Sequence, residues 1–435
     1  MYLNFIYNFY KTNKKRLHRL SKEGFWIIFG QILSILGGLV LLRVLTNQLE
    51  PSEFGDFSLS LTIAGLVSLV FFGGINNGIS RYYSLANEKN DLLGYINAST
   101  RLIKIVCYAV LIFLIIAAIF LIYLRKYNML WMTLSSIFFA VFSSIGSALS
   151  GFQNAARQRI IVAWHSFLDA WLKVGLAIIF LVFINSSGLS ALLAYVVSSL
   201  IVVISQFLFV NRNKRNYHLV QQKEIYNWQK KIWSFSWPFY ATNLFGWAQQ
   251  SSARWFLERY STKVDVGFFS VISQLGYTPI QTLTALFITF LTPIFFSRVG
   301  DASSQQQNNN VKFLTNKLAI SAIVAISISV LIASIFHFSI FSLLVNKKYL
   351  SVSSYLPLML LSGGLFAVAQ IYSIRLQSLF MMDKLVSSGI IISIAGVIFS
   401  FVGIKYAGIL GAVVGSLLFS VTYLSLMLYF FYKRS

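Results

Sequence analysis

The chain of 435 residues has one cysteine, Cys107, set in an apolar run. An intramolecular disulfide is impossible, and a zinc cluster held by cysteines is excluded. Histidine is scarce as well: His18, His165, His218 and His337 are scattered and suggest no metal set. Acidic residues number 12 against 35 basic ones, and there are only five prolines. No glycine-rich phosphate-cradling loop and no nucleophile elbow occur, and no polar stretch could house an ATPase. Any transport by this chain must therefore draw on a gradient or a partner, and neither cofactor nor metal is expected.

Apolar residues dominate instead. They make up 57% of the sequence, against 11% charged, which leaves too little polar surface for a soluble globule and too much apolar chain for a single-span receptor. A bilayer core of about 30 Å takes roughly 20 apolar residues of helix. Runs of that length follow one another near 25–45, 57–80, 102–124, 130–150, 164–184 and 189–210. A second set follows near 232–257, 267–297, 318–345, 353–380, 385–404 and 408–431. The runs are continuous rather than alternating, so they read as helices and not as strands of a barrel. The expected fold is an all-α polytopic membrane protein with about 12 transmembrane helices, arranged as two six-helix bundles around a central path.

The expected organisation is a cytoplasmic or interfacial segment 1–24, a bundle 25–210, a basic cytoplasmic linker 211–231, a second bundle 232–431 and a cytoplasmic tail 432–435. The first segment, MYLNFIYNFYKTNKKRLHRL, is basic and aromatic and precedes a long apolar run, which suits an interfacial anchor rather than a cleaved signal. Lys and Arg concentrate in the N-terminus, the even-numbered connections and the tail. The positive-inside rule then puts both termini in the cytoplasm. The net charge of +23 is accordingly a topology signal with some attraction to anionic lipid heads, and nucleic acid is not an expected partner.

Two short stretches echo each other. Glu53-Phe54-Gly55-Asp56-Phe57-Ser58 opens span two, and Asp265-Val266-Gly267-Phe268-Phe269-Ser270 opens span eight, 212 residues later. Gly188-Leu-Ser-Ala191 at span six and Gly408-Ile-Leu-Gly-Ala412 at span twelve form a second echo. Six spans per half make the repeats parallel, related by an axis along the membrane normal, as alternating access would use. The acidic turn itself reads as structural: the acid caps a helix start, the glycine allows a tight turn and the aromatic anchors at the interface.

A charge at mid-membrane costs roughly 2.5 to 3.5 kcal/mol, so each one asks for a reason. His165, Asp169 and Lys173 lie at i, i+4 and i+8 on one stripe of span five. They admit two readings: a neutral structural Asp169–Lys173 pair, or an ion-coupling group in which Asp169 or His165 exchanges a proton. In span seven Asn243, Trp247, Gln250 and Arg254 share a face, and span eight adds Gln274, Tyr277 and Gln281. Amides for hydroxyls, rings for stacking and Arg254 for an anion would suit a sugar-phosphate path; interhelical hydrogen bonding is the bland alternative. Arg43 is either a path residue or snorkels outward. Arg375, one turn after Tyr372, and Arg81 lie at inner helix ends, where they would meet a diphosphate or, for Arg81, mark the interface. The leftover intramembrane charge is positive, which favours an anionic substrate. Pro279 interrupts span eight beside its polar stripe and is the expected hinge.

LEPSEFGDFSLSLTIAGLVSLVFFGGINNGISRYYSL (49–85), RWFLERYSTKVDVGFFSVISQLGYTPIQTL (254–283) and YAGILGAVVGSLL (406–418) resemble segments of the polysaccharide transporters. These are the O-antigen repeat-unit flippases of the multidrug/oligosaccharidyl-lipid/polysaccharide (MOP) exporter superfamily, whose fold is that of the MATE transporters. The resemblance spans essentially the whole chain. It implies a multi-pass carrier of the bacterial inner membrane that moves an undecaprenyl-diphosphate-linked oligosaccharide from the cytoplasmic to the outer leaflet. It also implies contact with membrane lipids and work beside a polysaccharide polymerase and a chain-length regulator. Many relatives carry an acid directly before the arginine matched by Arg254; here it is Ala253. Three rivals stand beside this reading. A drug or cation antiporter would want unpaired acids in its path, a lipid II flippase usually has 14 helices, and a membrane enzyme would need a large outer loop for its catalytic groups. The outer loops here are about ten residues or shorter, although Glu50, Glu53 and Asp56 cluster in the first.

Overall fold

The computed structural model describes Trp26 and residues 29–212, 222–299, 305–379 and 381–433. The N-terminal segment 1–24, residues 213–221 of the basic linker and the end of the tail lie outside the described residues. Among those described there is no β-strand, and the helices follow the apolar runs: α1 Phe29–Gln48, α2 Pro51–Glu88, α3 Leu92–Tyr123, α4 Tyr127–Ala155, α5 Arg159–Phe183 and α6 Gly188–Arg212. The series continues with α7 Gln222–Tyr260, α8 in two pieces (Lys263–Gly276 and Thr278–Val299), α9 Gln305–Leu344, a 3-10 stretch Lys347–Tyr355 and α10 Leu356–Ser378. The last helical stretch, Met382–Lys433, is 52 residues long, about 78 Å if straight, more than twice a bilayer core. It is broken at Gly408, whose φ of 52° and ψ of −127° lie in a region that side-chain-bearing residues avoid. The break divides it into α11 (382–407) and α12 (409–433).

Among the described residues, ten helical stretches are long and apolar enough to cross a membrane. Division of the last at Gly408, and addition of α7, bring the helices to twelve; α7 falls outside that apolar set because Asn, Gln and Arg interrupt it. Long ribbons of exposed apolar side chains, such as Ile105, Ile112, Ile116 and Ile119 on α3 and Ile320, Val324, Leu331 and Ile335 on α9, are untenable in water and suit a lipid-facing surface. The protein is a multi-pass membrane protein.

The chain forms two compact units. Of the described residues, those up to 44 and those within 67–239 form the first, and those within 45–66 and from 240 onward the second. Residues 45–66 group with the second unit, and α7 up to residue 239 groups with the first. In the first unit, Asp91 caps α3 by accepting from the Gly94 N–H at 3.1 Å, and it also accepts from Trp228 Nε1 at 2.6 Å. Tyr95, fully buried, donates to the Ile79 carbonyl at 2.5 Å and meets the Trp228 ring edge-on. The start of α7 is thereby tied to α2 and α3. His165 is buried in this unit, with Nδ1 2.8 Å from the Ile161 carbonyl and Nε2 3.1 Å from Ser205 Oγ.

In the second unit the two echoed stretches lie against each other. A Cβ on Gly55 would strike the Lys263 carbonyl, and a Cβ on Gly267 would strike the Pro51 carbonyl. Both glycines lie inside helices, so their part is close helix approach and not the tight turn that the sequence suggests; between lipid-embedded helices, small residues are what permit such contact. The cap of α8 is likewise Thr262, which accepts from the Asp265 N–H at 3.1 Å, while Asp265 itself meets Ser261 Oγ. The aromatics of the echo are core and not interface anchors: Phe54 and Phe57 are fully buried, and Phe269 is 3% exposed. Tyr349 packs edge-on to both Phe54 and Phe268. Outside this crossing, Asp56 pairs with Lys263 at 2.8 Å and Glu50 with Lys348 at 2.5 Å, so two of the three acids clustered at 50–56 are engaged in ion pairs.

Candidate functional site

The helical repeat stacks Trp247, Gln250 and Arg254 on one face of α7. Their surroundings in the second unit are fixed from several directions. Trp247 Nε1 donates to the Thr62 carbonyl at 2.8 Å, and Trp255 Nε1 donates to Thr62 Oγ1 at 2.9 Å. α8 stops at Gly276 and restarts at Thr278, with Pro279 second in the new piece. Residue Tyr277 sits at the join, and its ring packs against Phe366 with centroids 5.8 Å apart.

Between these elements lies a cavity of about 260 Å³. Six of the side chains singled out from the sequence line it: Trp247, Gln250, Arg254, Gln274, Tyr277 and Gln281. Arg254 carries the only charge among the lining residues. Its Nε donates to Ser270 Oγ at 3.0 Å, its Nη1 reaches the Gln250 carbonyl at 3.4 Å, and the guanidinium stands 5.9 Å from the Phe269 ring. Among the described residues no carboxylate pairs with it. A guanidinium oriented at one end and left with donors to spare is suited to a planar or tetrahedral oxyanion. Ala253 also lines the cavity.

Sequence reasoning missed the part of the wall supplied by α2, namely Ser58, Thr62 and Gly65, together with Gln249, Ser400, Ser416 and Phe419. The echo offered a signal for one of them: Ser58 is the counterpart of Ser270. Ser58 Oγ is buried with no hydrogen-bond partner, an unmet polar group at the cavity wall of the kind that asks for a ligand or water.

The polysaccharide biosynthesis protein family matches this sequence over residues 20–299, well over half of the chain. The chain belongs to that family. None of the curated proteins matches it. In fold this family member is similar to "Lipid II flippase MurJ, inward closed conformation", with a TM-score of 0.68 at 12% identity over 94% of this chain and 86% of that one. It is also similar to a multidrug resistance MATE family transporter of the MOP superfamily in two conformations. The outward-facing form gives a TM-score of 0.64 at 14% identity over 96% and 95% of the two chains, and the inward-facing form 0.61 at 14% over 93% and 95%.

The other candidate residues of this polysaccharide biosynthesis family member lie away from the cavity lining. Asn243 is half-buried on α7 but does not line it. Arg375 is 5% exposed near the end of α10, with its guanidinium 4.3 Å from the Phe431 ring and Nε and Nη1 without hydrogen-bond partners. In the first unit, Arg43 is half-buried and Arg81 exposed. Asp169 and Lys173 are paired there at 2.6 Å.

Proposed function

We propose that this protein is a flippase that carries a lipid-linked, diphosphate-bearing oligosaccharide across the membrane by alternating access. The observation that supports this most is the character of the α7–α8 cavity. One unpaired arginine is set among amides, hydroxyls and aromatic rings, with no acid in the lining. Arg254 would take the phosphate, Gln250, Gln274 and Gln281 the sugar hydroxyls, and Trp247 and Tyr277 the apolar sugar faces. At about 260 Å³ the cavity is smaller than the roughly 300–1,000 Å³ that drug-sized ligands fill. It suits the phosphate-proximal part of the head, and the rest of the glycan would extend beyond it. Arg375 is a second cation along the same route, and Pro279 a bend on which opening and closing would turn.

The basic connections support an orientation with both termini in the cytoplasm of a bacterial inner membrane. The substrate class, an undecaprenyl-diphosphate-linked repeat unit of O-antigen or another surface polysaccharide, rests on the family resemblance. So do the partners, a polymerase that consumes the flipped unit and a chain-length regulator. A cation or drug antiporter shares the fold but would want a free carboxylate in its cavity, and Arg254 supplies the opposite charge. The test is reconstitution of the full chain into vesicles with a polyprenyl-diphosphate oligosaccharide and a membrane-impermeant glycosidase. Protein-dependent exposure of the glycan, lost in Arg254→Ala, is expected. Equal exposure with and without protein would overturn the reading.

A further inference from the structure

Lys173 lies near the middle of α5, where an ammonium group carries the membrane cost noted above. Its environment is more elaborate than a paired charge requires. Lys173 Nζ donates to Asp169 Oδ2 at 2.6 Å and stands 5.3 Å from the centroid of the Phe139 ring on α4 and 5.2 Å from that of Tyr195 on α6. The two rings meet edge to face, 5.4 Å apart, and the Lys173 side chain is only 15% exposed. An i, i+4 bridge needs nothing beyond the helix that carries it. Here two neighbouring helices each bring an aromatic ring within cation–π distance of the same nitrogen.

A carboxylate with two aromatic rings, each within about 6 Å of one ammonium, is the chemistry by which proteins recognise alkylammonium ions. We propose that Asp169, Phe139 and Tyr195 form a binding site for a small alkylammonium-type cation, with Lys173 as its built-in occupant. The wild-type chain therefore takes no free cation there. The negative charge of Asp169 is met by a tethered cation, and an ion that drives transport would have to act elsewhere. The inference stands apart from the substrate reading, since it concerns a different unit and its test needs no transport assay.

Lys173→Ala removes a propylammonium fragment and leaves the cage vacant. The full-length protein is purified in detergent, and its thermal unfolding midpoint is followed with propylammonium chloride, sodium chloride or tetramethylammonium chloride at equal ionic strength. Propylammonium should raise the midpoint of Lys173→Ala by about 2 °C or more at saturation and leave the wild type unmoved. Sodium and the bulkier ion should move neither protein. The response should vanish in Asp169→Asn/Lys173→Ala and weaken in Phe139→Leu/Lys173→Ala. If Lys173→Ala is recovered folded only when solubilised with propylammonium, that rescue supports the proposal equally. Equal responses of wild type and variant, a response that survives Asp169→Asn, or recovery that propylammonium does not improve over sodium would overturn it.

Discussion

Gly55 and Gly267 face each other across the contact of α2 and α8, and each occupies the space that a carbonyl of the other helix denies to a side chain. The two residues stand at matching places in the echoed stretches, 212 positions apart. The echo is thus a packing device in which each copy needs the other. Gly55→Ala or Gly267→Ala should lower stability by about 1–3 kcal/mol, because the obstacle is backbone and cannot rotate aside. The thermal midpoint of the purified protein reads this out. An unchanged midpoint in both variants would show that the helices can part freely.

The ion pair outside that crossing should behave differently. Lys263 is 51% exposed and Asp56 23%, so the pair is solvent-screened and worth about 1 kcal/mol or less. Lys263→Gln should leave both expression and midpoint nearly unchanged, in contrast to the neighbouring glycines.

Much of this was legible in the sequence, because in a membrane the apolar runs are the helices. The stripe spacing on α7 and α8 also singled out six residues that share one cavity, since helical periodicity alone puts them on common faces. The α2 wall was not legible. Serine and threonine in an apolar helix often bond to their own chain, as Thr62 does with the Leu59 carbonyl and Ser60 with the Asp56 carbonyl, and they leave no pattern that separates a cavity wall from packing. The echoed glycines were read as turns for a related reason. A glycine near a helix start looks the same in sequence whether it serves a turn or a crossing, and only the partner helix distinguishes the two.

Arg254 and Ser270 should separate by role. Arg254→Ala removes the anion donor and should reduce translocation at least about tenfold, as loss of a charged hydrogen bond of 1.5–3 kcal/mol implies. Arg254→Lys should recover only part, because an ammonium lacks the planar fork. Ser270→Ala frees the guanidinium without removing it and should cause a smaller loss. The initial rate in reconstituted vesicles checks all three, and an order in which Ser270→Ala is the worst would contradict the assigned roles.

Pro279 follows the join in α8 at Tyr277. Pro279→Ala restores a backbone donor and should straighten the helix. The expected result is slower translocation, with the thermal midpoint held or raised. A normal rate would remove Pro279 from the conformational cycle.

The most direct test of the account is the leaflet location of the lipid-linked oligosaccharide in cells that lack this gene and any other flippase for that unit. Location is read with a glycan-cleaving enzyme that cannot cross the membrane. The account predicts that the units accumulate on the cytoplasmic side and reach the outer face again when the wild-type protein, but not Arg254→Ala, is restored. Units that reach the outer face at the normal rate without the protein would contradict it.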